Sequence, residues 1–184
     1  VLVVGGVAGW RGYEYYQSKQ AAESGAQFEA AMSLAEAGKL EEATAAFDKI
    51  AQTGTSGYRV LARLRAASVT ADRDKAAAVK GFDAVAADSS IDSKLRDLAA
   101  IRAGFLLVDS APLTEMQQRL EPLTGAQGTF RHTARELLAL SAFRAKDAAA
   151  IKRWGDMITG DLESPAAMRG RVEALLALAG IAKG

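Results

Sequence analysis

The sequence predicts an all-α protein built from repeated helical hairpins. Nearly half of its 184 residues are apolar and only three are proline. Val, Ile and Thr form no alternating, strand-like runs beyond the first few positions, so the composition favours helix throughout. The strongest observation is an internal repeat, in which the stretch 38–51 returns 35 residues later as the stretch 73–86.

The repeat has a fixed spacing of one small, one large and one apolar residue. In the first copy these are Ala43, Phe47 and Ile50, and in the second copy they are Ala78, Phe82 and Val85. Steps of four and three residues place all three on one helical face. A period of about 34 residues built this way is typical of tetratricopeptide-type hairpins. We therefore predict a tetratricopeptide-like right-handed superhelix of about four hairpins with a C-terminal capping helix.

Glycine, proline and polar clusters divide the chain into hairpins. The predicted helices cover, in order, residues 12–37, 40–51, 58–71, 75–87, 93–108, 112–123, 130–144 and 148–157. The third hairpin has Met116 in place of the small residue, and the fourth has Trp154 in the aromatic position. Ser164 as N-cap and Pro165 as first residue begin the closing helix.

The first sixteen residues differ from the rest. An uncharged apolar run, 1–10, is followed by an aromatic and basic cluster that consists of Trp10, Arg11, Tyr13, Tyr15 and Tyr16. Aromatic residues next to an apolar run are typical of a membrane interface. We expect residues 1–16 to be the end of a membrane anchor and residues 17–184 to be the repeat domain. A buried first helix and the end of a signal peptide are the alternatives.

Charge and residue content exclude several function classes. The formal net charge is +1, so the electrostatic attraction that drives non-specific nucleic-acid binding is missing. The chain has no cysteine, which excludes disulfides and thiolate metal sites. We expect protein partners and a membrane contact through the N-terminus, with no nucleic acid, small-molecule substrate, metal or cofactor.

No residue pattern predicts an enzyme. His132 is the only histidine, and no second histidine or cysteine completes a metal site around it. Asp72, Asp74, Asp83 and Asp88 lack the spacing of a calcium loop, so we interpret them as turn and cap residues. No serine has a histidine and an acid nearby, as nucleophilic catalysis would require.

Two arginine pairs share helix faces at a spacing of four residues, Arg59 with Arg63 and Arg131 with Arg135. Guanidinium groups are suited to binding carboxylates or peptide backbone. A solvated face with acidic partners nearby is the simpler interpretation.

The residues quoted above resemble one family in particular. The segment Gly9-Trp10-Arg11 with its tyrosines, followed by a hairpin turn at 38–43, is similar to the ancillary Sec-translocon subunit family. The resemblance implies a single-pass bacterial inner-membrane protein with a periplasmic repeat domain. It also implies partners among Sec channel subunits, periplasmic folding factors and exported chains. That family has no catalytic residues.

The first helices of such an array line its concave wall. Register places Phe28, Met32, Arg63, Ile101 and Phe105 at equivalent inward positions, so they are the candidate partner-binding groove. The same spacing also fits core residues between neighbouring helices. An envelope-assembly or cell-division scaffold and a soluble tetratricopeptide adaptor are the alternative functions.

Overall fold

The computed structural model describes the backbone of residues 2–181 and the side chains of residues 10–181. This part contains α-helices, one 3-10 turn and no strand. The α-helices are α1 (Leu2–Glu36), α2 (Leu40–Thr53), α3 (Ser56–Thr70), α4 (Lys75–Ala86), α5 (Ser93–Leu107), α6 (Leu113–Leu120), α7 (Arg131–Ala145), α8 (Ala148–Thr159) and α9 (Ala166–Leu178). The all-α, tetratricopeptide-like class is confirmed, with α9 following four helical hairpins.

Two helix starts differ from the sequence prediction by one residue. Pro165 occupies the N-cap position of α9, so Ser164 lies before the cap and makes no capping hydrogen bond. Pro112 likewise occupies the N-cap position of α6. Proline fits both places because the backbone N–H it lacks has no partner inside the helix there.

The chain divides into two compact units, unit 1 from Val1 to Gly81 and unit 2 from Phe82 to Gly184. In unit 1 the repeat residues Ala43, Phe47 and Ile50 are buried at the centre of the core. The Phe28 ring packs edge-on against Phe47, with ring centroids 5.3 Å apart. Tyr58 packs on the other side of Phe28 at 5.7 Å. Small residues and edge-on or tilted ring contacts therefore hold this unit together.

Unit 2 has a larger core with Trp154 fully buried in the aromatic position. Gly104 on α5 allows a close approach, because a Cβ added there would lie 3.1 Å from Leu120 and 3.3 Å from Leu137. The third hairpin is irregular, as its sequence suggests. Its second helix, α6, has only eight residues and continues as the 3-10 turn Glu121–Leu123.

The turn between α7 and α8 is tight. Lys146 adopts a left-handed conformation with φ 57°, which ends α7, and its N–H donates to the carbonyl of Phe143 at 3.0 Å. Asp147 then caps α8, since its side chain accepts from the N–H of Ala150 at 2.9 Å. The two helices are therefore joined by only two residues.

None of the helices in the described part of the chain combines the length and the apolarity that a membrane span requires. Helix α1 has 35 residues, but its apolar stretch is short, because the charged residues Arg11, Glu14 and Lys19 follow soon after its start. The prediction of a single-pass inner-membrane protein with a periplasmic repeat domain is therefore wrong. Residues 1–9 of the predicted apolar run 1–10 have side chains that lie outside the described part of the chain.

Candidate protein-binding site

Large apolar side chains are exposed on helices α5, α7 and α9 of unit 2. We call four of them the apolar face: Phe105 on α5, Leu140 and Phe143 on α7, and Leu178 on α9. Phe105 is 53% exposed and Leu178 is 77% exposed. Single exposed apolar residues need no explanation, but a contiguous group of them marks an interaction surface.

The members on α7 and α9 can be located relative to an ion pair that joins these two helices. Glu136 on α7 binds Arg171 on α9 through two parallel hydrogen bonds, at 2.7 and 3.0 Å. Phe143 and Leu178 each lie seven residues beyond this pair, which is two turns along the same side of each helix. The two helices run in the same direction, because Arg131 at the start of α7 contacts Glu163 just before α9. Helical spacing therefore places Phe143 and Leu178 on the sides of α7 and α9 that carry this ion pair.

Helix α5 extends this surface on the other side of α7. The Leu137 side chain lies against Gly104, so α5 and α7 are in contact. Near their C-terminal ends, Arg144 donates from Nε to the carbonyl of Val108 at 3.1 Å and from Nη2 to that of Ala111. Phe105 follows Gly104 directly, on the exposed side of α5.

A carboxylate near the start of α7 accepts hydrogen bonds from three side chains of that helix. Asp161, in the connection between α8 and α9, accepts hydrogen bonds from Arg131 Nε at 3.1 Å and Arg135 Nη1 at 2.9 Å. His132 Nε2 lies 3.0 Å from the same oxygen and donates, because an ionised carboxylate can only accept. The network fixes α7 relative to the connection that leads into α9.

Arg135 has the most buried charge of this network, with only 5% of the residue exposed. It donates from Nε and Nη2 to the carbonyl oxygen of Thr124, at 3.0 and 2.8 Å, and from Nη1 to the carbonyl of Met157 at 2.9 Å. Both carbonyls belong to chain segments at helix ends, where backbone acceptors lack helical partners. Arg135 therefore holds the irregular third hairpin to the fourth.

The hydrogen bonds of this network lower the pKa of the carboxyl group and raise the pKa of its guanidinium partner Arg131. Hydrogen bonds from His132, from the backbone N–H of Glu163 and from the guanidinium groups hold the pKa of Asp161 well below its usual range. The hydrogen bond to Asp161 raises the pKa of Arg131, although partial burial opposes it. The bond to Glu136 raises the pKa of Arg171.

The structure distributes the predicted groove residues over different environments. Phe28 and Met32 are half-buried against the core of unit 1, and Arg63 is half-buried on α3. Ile101 is buried in the core of unit 2. Phe105 is exposed, so it is the one member of the predicted set that lies on the apolar face.

The predicted membrane-interface residues all lie on the exposed part of α1. They are Trp10, Arg11, Tyr13, Tyr15 and Tyr16. A role for them at a membrane surface stays a prediction.

The polar candidates have structural roles in the described residues. Asp74 caps α4 by accepting from the N–H of Ala77 at 2.9 Å, and Asp88 accepts from the N–H of Ser90 at 3.1 Å. Asp83 instead binds Arg119, with one hydrogen bond at 3.2 Å. No group of three or more potential metal ligands occurs among residues that the structure describes.

Sequence reasoning missed Leu140, Phe143 and Leu178. A signal was present in α7, where Leu137, Leu138 and Ala139 precede Leu140, so that apolar residues occur on every side of the helix. Four consecutive apolar residues lie on different sides of a helix, so packing on one side leaves at least one of them uncovered.

Helical hairpins in tandem, with exposed apolar side chains on their first helices, define a repeat protein of the interaction-module class. A family model for the tetratricopeptide repeat-like domain matches residues 1–151, and the chain belongs to that family. Domains of this family are typically non-enzymatic modules that bind other proteins. No curated protein matches the chain, and no solved structure matches it.

Proposed function

We propose that this protein binds apolar segments of partner polypeptides on the apolar face of unit 2. The observation that carries the proposal is the exposure of Phe105, Leu140, Phe143 and Leu178 on helices α5, α7 and α9. Complete burial of one such side chain stabilises a complex by about 1.5–3 kcal/mol, and less where it is already half-covered. Four such side chains therefore supply enough apolar surface for reversible docking.

The ion network at the start of α7 supports the same proposal. A binding surface retains its affinity when its side chains are held in place before the partner arrives. Arg135 and Asp161 fix the start of α7, and the Glu136–Arg171 pair fixes the spacing between α7 and α9. The apolar side chains are thus presented on a rigid support.

The particular partners follow from the resemblance of the chain to ancillary Sec-translocon subunits. On that basis we propose an accessory role beside the Sec channel, in which the apolar face docks a channel subunit, a periplasmic folding factor or an exported chain. An apolar face suits such partners, because unfolded exported chains expose apolar segments.

The test is site-specific photocrosslinking of the full-length protein in cells. A photoreactive residue replaces Phe143 in one variant and Leu162 in a matched control. Leu162 is 96% exposed but lies in the connection between α8 and α9. We expect position 143 to yield adducts with Sec channel subunits or exported chains, and position 162 to yield few.

Two results would count against the proposal at different levels. Adducts at position 143 with unrelated proteins would overturn the Sec assignment and retain the interaction module. Equal and sparse adducts at positions 143 and 162 would overturn the apolar face as a binding site. Thermal melting of both variants identifies any loss of adducts that is due to misfolding.

A further inference from the structure

The N-terminal half of α1 has an uncovered surface that is separate from the apolar face of unit 2. All fourteen residues from 10 to 23 are exposed, and burial begins only at Ser24. Helical segments of about 12–15 residues are marginal in water without a packing partner. The segment also exposes Trp10 at 65% and Tyr13 at 57%.

The uncovered segment continues a stripe that is already an interface. Ser24 and Ala31 are buried where α1 packs on the rest of unit 1. Counting back from Ser24 by seven and by fourteen residues gives Gln17 and Trp10, on the same line of the helix within about 20° per step of seven. Tyr13 lies between them and is hydrogen-bonded to Gln17, from Nε2 to the phenolic oxygen at 2.5 Å. The packing stripe of α1 thus extends about four turns beyond its own partners.

Charge and area indicate what covers this extension. The segment 10–23 contains Arg11, Lys19, Glu14 and Glu23, so its formal charge is zero and two copies meet without net repulsion. Covering Trp10 and Tyr13 in both copies removes roughly 500 Å² of aromatic surface from water. That is about half of the roughly 1,000 Å² expected for a specific interface, and the neighbouring side chains of the stripe supply the rest.

We propose that the extension of α1 pairs with the same segment of a second copy of this chain. The stripe of one helix packs against the stripe of the other, with Gln17 near the midpoint of the contact. The interface is isologous, since each copy contributes the same residues. Its modest area makes the association weak and dependent on protein concentration.

Disulfide crosslinking tests the proposal on the full chain. The protein has no cysteine, so each single substitution introduces one thiol per copy. Gln17→Cys places the thiol at the midpoint of the stripe, where it meets its counterpart whether the helices run parallel or antiparallel. Tyr15→Cys is the matched control, because Tyr15 is 73% exposed but lies about 160° round the helix from Gln17.

We expect Gln17→Cys to form covalent dimers at least about tenfold faster than Tyr15→Cys under mild oxidation. Equal rates at the two positions would overturn the proposal. Sedimentation equilibrium provides a second, independent measurement. The double variant Trp10→Ala/Tyr13→Ala should weaken dimerisation by about tenfold or more, whereas Tyr15→Ala should change it by less than about twofold.

A membrane surface is the other candidate partner for the extension of α1, and the same protein samples distinguish it from a second copy of the chain. Trp154 is fully buried, so a change in tryptophan emission on adding anionic phospholipid vesicles reports Trp10. A blue shift with vesicles, together with a monomeric mass at all concentrations, would overturn self-pairing in favour of lipid. A dimeric mass with no shift would support the proposal.

Discussion

Units 1 and 2 are built from the same hairpin but are held together by different interactions. In unit 1 the core combines small residues with the rings of Phe28, Phe47 and Tyr58, and its ion pairs, such as Arg73–Glu41, lie between exposed side chains. In unit 2 a buried guanidinium, that of Arg135, binds the backbone carbonyl of Thr124, in the connection before α7, and that of Met157, in the last turn of α8. Where the repeat is regular, apolar packing suffices. Where it is irregular, buried backbone acceptors require a polar partner.

The largest expected effect comes from the aromatic position of the repeat, which holds Phe47 in unit 1 and Trp154 in unit 2. It tests whether this position contributes to stability in the same way in both units. Trp154→Ala should lower the free energy of unfolding by about 3–5 kcal/mol, because it leaves a cavity in the core of unit 2. Trp154→Phe should cost less than about 2 kcal/mol, because phenylalanine occupies the same position at residues 47 and 82. Urea denaturation followed by circular dichroism measures both. Similar losses for the two variants would show that the two units do not use the position alike.

The second effect compares a buried arginine in unit 2 with an exposed one in unit 1. Arg135→Met retains much of the side-chain volume but removes the donors to Thr124 and Met157, so we expect a loss of about 2–4 kcal/mol in the free energy of unfolding. Arg73→Met removes a surface ion pair and should cost about 0.5 kcal/mol. Parallel urea titrations give the difference. Equal losses of unfolding free energy for the two variants would show that the buried arginine of unit 2 contributes no more than the exposed one of unit 1.

The smallest effect is a pH dependence that only unit 2 should show. The pKa of Asp161 is depressed in the folded state, so its ionised form stabilises the fold above its ordinary value, near pH 4. That stabilisation is lost as the pH falls from about 4 towards the folded value. Asp161→Asn should therefore have a lower free energy of unfolding than the natural protein at pH 7. The difference between the two free energies should be smaller at pH 3.

The control for this measurement is Glu41→Gln, which removes the exposed carboxylate that pairs with Arg73 in unit 1. Its stability relative to the natural protein should change little between pH 7 and pH 3. A gap for Asp161→Asn that stays constant with pH would show that the carboxylate contributes through its shape and hydrogen bonds, and not through its charge.

The fold was predictable because its signals are local. The spacing of Ala43, Phe47 and Ile50 recurs in the sequence, and each of these residues is buried. Cap and turn residues such as Asp74 and Gly38 also act within a few positions of themselves. The burial or capping role of such a residue can be predicted from its own helix, without knowledge of which other helices pack against it.

The candidate site was less predictable because it depends on which faces remain uncovered. Phe105 was identified by register, but Ile101 has the same apolar character and lies in the core. The distinction between Leu138, which is buried, and Leu140, which is exposed, depends on where neighbouring helices pack around α7. The clustering of Arg131, His132 and Arg135 on Asp161 similarly joins residues about thirty positions apart, and no local pattern indicates it.

The distances along the chain between interacting partners have a consequence for folding. The ion pairs that join different helices connect residues about one repeat apart, from 26 positions for Arg135 and Asp161 to 36 for Arg119 and Asp83. Contacts this close in sequence lower the entropy cost of loop closure and favour fast folding. Each hairpin can therefore pair with the element that follows it as soon as that element has been synthesised.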